Sequence, residues 1–171
     1  IPDDEVPADK PTRYSLTMSP ERQAAIGVAI DVDGKAFLDL AELARVDDSR
    51  ALIEWFAERK SPRTVVMIDS RDPAAAFVNE LRGRGVKVNV TTQQDAGKAF
   101  VGFTTAVTEA RIWHIDQPAI RAGLAIAKTK TIGKTELQEW DLNDPTPEVA
   151  ALRAMTLAHY GLSLNKKRTG N

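Results

Sequence analysis

The chain has 171 residues, a formal net charge of −1 and no cysteine, which excludes disulfides, thiolate catalysis and cysteine-held zinc. Hydrophobic residues make up 43% of it, enough for one core and one domain, and the near-neutral charge leaves any nucleic-acid binding to local patches. No apolar run reaches the ~20 residues that span a bilayer, and no signal-peptide pattern opens the chain. The start at Ile1, without a methionine, reads as a fragment of a longer protein or a processed product.

Residues 1–12 are acidic and rich in proline (Pro2, Pro7, Pro11) and read as a linker or arm. Arg13 to Met18 is a short strand, followed by a turn at Ser19-Pro20-Glu21-Arg22. Ala24 to Val32 and Lys35 to Leu43 form a hairpin across Asp33-Gly34, completing a three-stranded meander. Beside that glycine, Asp31 and Asp33 read as turn residues. A helix from Ser49 to about Lys60 carries Leu52, Trp55 and Phe56 at helical spacing, with Asp48 or Ser49 as its cap.

Thr64 to Asp69 is an uninterrupted apolar run ending in a carboxylate, the pattern of a central strand covered on both faces. A carboxylate there needs compensation, either from a ligand at the strand's carboxyl end or from capping the next helix. Pro73 opens a helix to about Arg84, with Ala74, Phe77, Val78 and Leu81 inward and Gly85 as its stop, and Val86 to Thr91 is a further strand. A long helix runs from Gln93 to about Arg111, an extended link spans Ile112 to Ile115, and Gln117-Pro118 begins another helix. Lys128 to Trp140 reads as two short β segments, and the last helix runs from Pro147 to Tyr160 with Gly161 as its end. The basic residues Lys166, Lys167 and Arg168 fall in a disordered tail over 163–171.

This order, a meander feeding alternating βα units, predicts a mixed α/β sheet with helices on both faces and a C-terminal hairpin plus helix. It is the order of a ribonuclease H-like fold, in which acids on the first strand, the fourth strand and the last helix gather around divalent metal. Asp69 takes the fourth-strand place. On the last helix Glu148 shares a stripe with Leu152 and Met155, so it faces the sheet or else favours the positive helix end. Asp144 and Asp141 are reserve carboxylates near the same end. The first strand has no acid; Thr17 alternates with Ser15 and Ser19 on one face and stands in the metal-facing place.

The succession Met18-Ser19-Pro20-Glu21-Arg22, Val66-Met67-Ile68-Asp69-Ser70, Gln94-Asp95-Ala96-Gly97-Lys98-Ala99-Phe100, Ala106-Val107-Thr108-Glu109 and Trp113-His114-Ile115-Asp116-Gln117-Pro118-Ala119 resembles the nuclease domain of tailed-phage large terminase subunits, those of actinobacterial phages in particular. The stretch Leu152 to Leu162 is similar too, so the resemblance covers residues 13–162. It implies a Mg²⁺- or Mn²⁺-dependent endonuclease that cuts concatemeric double-stranded DNA, in the host cytoplasm during phage assembly. It implies as partners an N-terminal terminase ATPase, the portal and the small terminase subunit, and no membrane. Asp69 matches the fourth-strand metal ligand, and Glu148, with Asp144 in reserve, the last-helix acid. Thr17 stands where the family carries a first-strand Asp, so a two-metal site is short of one charged ligand.

Lys128, Lys130 and Lys134 along the hairpin, with Arg22 and Arg71 in the loops at the strand ends, are the candidate DNA contacts. His114 reads as a packing residue, and His159 lies near the stripe of Glu148. Gly133-Lys134-Thr135 mimics the end of a phosphate-binding loop, but Lys128 stands where that motif needs glycine, so no ATP site is expected. Two other readings fit the same residues. One is a weakened DNA-binding or portal-docking module marked by Thr17; the other is a different ribonuclease H-like nuclease, such as a junction resolvase.

Overall fold

The computed structural model describes residues 11–109, 111–114, 124, 127–132, 137–142, 144 and 146–169. Its centre is the meander of β1 (Thr12–Met18), β2 (Gln23–Val32) and β3 (Lys35–Arg45), each strand antiparallel to the next. At the β2–β3 turn Asp33 and Gly34 both adopt positive φ, 53° and 84°, the backbone of a tight hairpin turn, and Asp31 Oδ1 accepts the Gly34 N–H at 3.0 Å. Asp33 is a turn residue, and Asp31, near the end of β2, bonds into the same turn.

The covered apolar run becomes β4 (Thr64–Asp69), parallel to β1, with β5 (Val88–Thr91) parallel beyond it and β6 (Ile112–His114) parallel to β3. The six-stranded order is β5-β4-β1-β2-β3-β6, the mixed sheet of the ribonuclease H-like fold. β7 (Thr129–Thr131) and β8 (Gln138–Trp140) make a separate antiparallel pair.

Strand alternation divides the core in two. Leu16, Ile26, Val28, Val66 and Ile68 point to one face, where they pack on Leu52, Ile53 and Phe56 of α1 (Ser49–Arg59) and on Val78 and Leu81 of α2 (Val78–Gly83). Asp48 caps α1 by accepting the Arg50 N–H at 2.9 Å. The segment expected to be one helix from Pro73 is divided: Pro73–Phe77 is a 3-10 turn capped by Asp72, and α2 follows. Gly85, at φ 82°, ends it, and the Val86 N–H closes back on the Leu81 carbonyl at 3.0 Å. That closure delays β5 to Val88.

The opposite face is paved with small residues: Ser15, Thr17, Ala25, Gly27 and Ala29. Onto them lies α4 (Pro147–Thr169), presenting Ala150, Ala151, Ala154 and Ala158, and α3 (Gln93–Thr108) flanks it. A Cβ built on Gly27 would stand 2.6 Å from the Ala154 carbonyl oxygen, so the helix approaches the sheet as closely as backbone allows. Leu152 and Met155 anchor the β2–β3 side with Leu38 and Phe103.

α4 does not stop at Gly161 but continues to Thr169, so Lys166, Lys167 and Arg168 lie within a helix and not in a disordered tail. Gly161 serves packing instead, since a Cβ there would sit 3.0 Å from Met67 Cγ and 3.1 Å from Arg13 Cγ. The helix expected from Gln117 falls mostly outside the described residues. No helix among the described residues is long and apolar enough to cross a membrane.

Two glycines should respond in opposite senses. Gly27→Ala drives a methyl into fixed backbone and should cost about 1–3 kcal/mol in urea unfolding. Gly102, inside α3 with nothing within 4 Å of its Cβ direction, should gain up to about 1 kcal/mol as alanine.

Candidate active site

Asp69 ends β4 with its side chain only 7% exposed. Its Oδ1 accepts the backbone N–H of Arg71 at 2.8 Å, and the Arg71 guanidinium grips both its oxygens, Nε to Oδ1 at 3.1 Å and Nη2 to Oδ2 at 2.8 Å. The other side of the same guanidinium grips Glu139 on β8, Nη1 to Oε2 and Nη2 to Oε1, both at 3.0 Å. Glu139 is 6% exposed and Arg71 28%. Burial alone lowers the Arg71 pKa, but the hydrogen bonds and charges of Asp69 and Glu139 outweigh it and hold the cation above its ordinary value.

A second ion pair lies against the first. Asp72, with a side chain 0% exposed, accepts from Arg153 Nη2 at 2.8 Å, and its Oδ1 receives the N–H groups of Met18 and Ala74. Asp72 therefore ties the end of β1, the 3-10 turn and α4 together. Burial pushes its carboxyl above the ordinary range; Arg153 and the two N–H groups pull the other way without cancelling it.

Thr17 and Asp69 line a small cavity of about 40 Å³ with Glu139, Arg153 and Leu157. It adjoins a larger cleft of about 320 Å³ walled by Pro20, Arg71, Asp72, Lys130, Glu139 and Arg153. Acids and guanidinium groups thus alternate along one wall at the carboxyl end of β1 and β4.

Of the residues singled out from sequence, Asp69, Thr17, Arg71 and Lys130 come together here. Thr17 faces α4, as its alternation with Ser15 predicts, and its hydroxyl donates to the Ala150 carbonyl at 3.2 Å. Lys130 stands directly across the hairpin from Glu139. Glu148, half-buried in the first turn of α4, lines neither cavity. Its stripe-mates Leu152 and Met155 pack on the β2–β3 side, while Arg153, Thr156 and Leu157 are the helix residues that reach Asp69's cavity.

Asp144 accepts the Thr146 N–H at 2.9 Å, and the Thr146 side chain and backbone hold its carboxyl below the ordinary value. Arg22 turns its Nε to the Val46 carbonyl at 2.7 Å, and Lys128 is exposed, its carbonyl accepting the Asp141 N–H. Lys134 lies outside the described residues. His159 packs edge-on against Phe103. Sequence reasoning missed Glu139, Asp72 and Arg153. The available signal for Glu139 was its place in a short strand opposite Lys130, on the ribbon that precedes the last helix.

No family model matches the sequence, and no curated protein matches it. Solved structures do. The large terminase nuclease from thermophilic phage G20c superposes with TM-score 0.62 at 9% identity, covering 90% of this chain and 83% of that one. Its form with bound magnesium gives 0.62 at 12% identity over 88% and 81%. The large terminase of another thermophilic bacteriophage gives 0.58 at 14% identity, covering 88% of this chain but 40% of its own. The fold is that of the phage large terminase nucleases. The chain spans well under half of that longer large terminase and most of the G20c nuclease.

On this terminase nuclease fold, the donor set fits one hard divalent cation: Asp69 and Glu139 aim four carboxylate oxygens at a single positive group. Among the described residues no group of three or more His, Cys, Asp or Glu is placed to hold a metal.

The Asp72–Arg153 pair makes a pH-dependent prediction. Arg153→Met leaves the carboxylate buried without its cation and should cost about 3–5 kcal/mol at neutral pH. A raised folded pKa means the folded state holds its proton more tightly than the unfolded one, so the contribution is lost as pH rises and regained as pH falls. The deficit should therefore shrink as pH is lowered toward the ordinary carboxylate range near ~4, as urea unfolding at several pH values will show.

Proposed function

We propose that this domain is the nuclease part of a viral DNA-packaging large terminase, and that it hydrolyses phosphodiesters in double-stranded DNA using one divalent cation, Mg²⁺ or Mn²⁺, held by Asp69 and Glu139. The observation that carries this reading is the convergence of those two covered carboxylates on one cationic group at the carboxyl end of β4. The magnesium-bound G20c nuclease supports it by analogy of fold. When bound, the ion supplies an activated water and charge stabilisation for the leaving oxygen.

The chain's own residues do the rest. Lys130, Arg71 and Arg153 wall the cleft with positive charge, the arrangement that seats a phosphate backbone, and Lys128 extends it along the hairpin. Arg22 belongs to the same end of the sheet, and Lys134 completes the basic set in sequence. Asp144, just before α4, and Glu148, in its first turn, remain the candidate carboxylates for a second ion, and neither lines the cavity of Asp69. The partners that follow from this reading are an ATPase domain in the same protein, the portal and the small terminase subunit.

One observation favours a weakened module instead. Thr17 brings a hydroxyl, already bonded to Ala150, to the place where a third charge would anchor metal. The two readings separate on supercoiled plasmid. In Mn²⁺ or Mg²⁺ the chain should nick it, and Asp69→Ala should reduce nicking at least about 100-fold, since even residues that merely support a metal ligand are worth 10–100-fold. Thr17→Asp should raise the rate. No nicking by either the unaltered chain or Thr17→Asp, with DNA still bound, would leave the docking module standing, and a preference for branched over linear duplex would point to a resolvase.

A further inference from the structure

Arg71 fills the space between Asp69 and Glu139 that a bound cation would take. Resting on the function proposed above, we infer that Arg71 is an exchangeable internal cation: it holds the two carboxylates together in the absence of a divalent ion, and yields its place when one enters by turning its guanidinium to a DNA phosphate in the adjoining cleft.

The two carboxylates come from separate elements, β4 and β8, and among the described residues Arg71 is the group to which Glu139's side chain bonds. With side chains 7% and 6% exposed, they would repel at close range in a covered site without an intervening positive charge. Arg71 also has room to move. It sits in the turn after β4, its side chain is 28% exposed, and it borders the cleft of about 320 Å³ beside Lys130. Its planar fork of N–H donors matches a phosphate as well as a carboxylate, so the exchange replaces one set of charge-assisted hydrogen bonds by another.

The charge balance favours the exchange only when both ligands are present. A divalent ion entering alone neutralises the carboxylates but leaves Arg71 without a partner, and a phosphate entering alone draws Arg71 away from two buried acids. Together each removes the cost of the other. Metal and DNA should therefore bind with positive coupling, which is reciprocal by linkage. Arg71 is a positioning residue in this scheme, and the coupling favours a loaded metal site in DNA-bound protein.

The test is Mn²⁺ binding to the full 171-residue chain, measured by calorimetry with and without a short blunt duplex. Arg71→Ala should bind Mn²⁺ about 10-fold more tightly than the unaltered chain when DNA is absent, within the usual range of such couplings. Asp69→Asn should abolish binding in either background. The duplex should tighten Mn²⁺ binding to the unaltered chain and leave Arg71→Ala unchanged. In chelator, Arg71→Ala should melt at lower temperature and recover with Mn²⁺.

Equal Mn²⁺ affinity in the unaltered chain and Arg71→Ala, both lost with Asp69→Asn, would overturn the exchange while the metal-dependent nuclease reading stands. No Mn²⁺ binding by any folded variant would overturn both. Should Arg71→Ala fail to fold, Arg71→Lys keeps the charge without the bidentate fork; it should show intermediate tightening, and unchanged affinity would overturn the exchange.

Discussion

The architecture depends on how closely α4 can lie on β1 and β2. Gly27, Ala25 and Ala29 on the strands meet Ala150, Ala151, Ala154 and Ala158 on the helix, and the Ser15 hydroxyl donates to the Ala154 carbonyl. Small-to-small contact puts helix backbone against sheet backbone, so hydroxyls on the strand can reach helix carbonyls directly. The same contact sets the rotation of α4. With its alanine stripe on the sheet, Leu152 and Met155 fall to the β2–β3 side and Arg153 and Leu157 to the Asp69 side. In this rotation Arg153 reaches Asp72.

What gathers at that edge is a set of charges too expensive to bury singly. Asp72 with Arg153, and Asp69 with Arg71 and Glu139, form two neighbouring clusters with one more acid than base between them. Burial in such a cluster carries a desolvation cost, which hydrogen bonds from backbone and guanidinium groups offset, only in part at Asp72. Hydrophobic residues of the same volume would stabilise the fold at least as well. The retention of charge at the end of a buried strand is the reason to look for chemistry there.

The sheet was readable from the sequence because its signals are local. Asp33-Gly34 announces the hairpin, the run before Asp69 announces a strand covered on both faces, and Asp48 announces the start of α1. The end of α4 was misread for an equally physical reason: Gly161 looks like a helix stop, but its lack of a side chain answers a demand from Met67 and Arg13, which are distant in the chain. Asp69 was visible as the carboxylate ending an uninterrupted apolar run, and Thr17 from strand alternation with Ser15 and Ser19. Glu139 was not, because its role exists only once the hairpin folds over β4. Glu148 shares a stripe with Leu152 and Met155, and those two residues pack on the β2–β3 side of the core.

Among the described residues the β7–β8 pair forms a sheet of its own, apart from the main one. It is held down by Trp140, whose indole N–H donates to the Thr156 hydroxyl at 2.9 Å and whose ring meets Phe100 at 4.8 Å. Successive residues on such a ribbon face opposite ways. Trp140 in its socket therefore dictates that Glu139 points toward Arg71, and a slip of one residue would offer Gln138 or the indole in its place. The aromatic anchor thus acts as an alignment pin: it converts the ribbon's position along its own axis into the presence or absence of the second carboxylate.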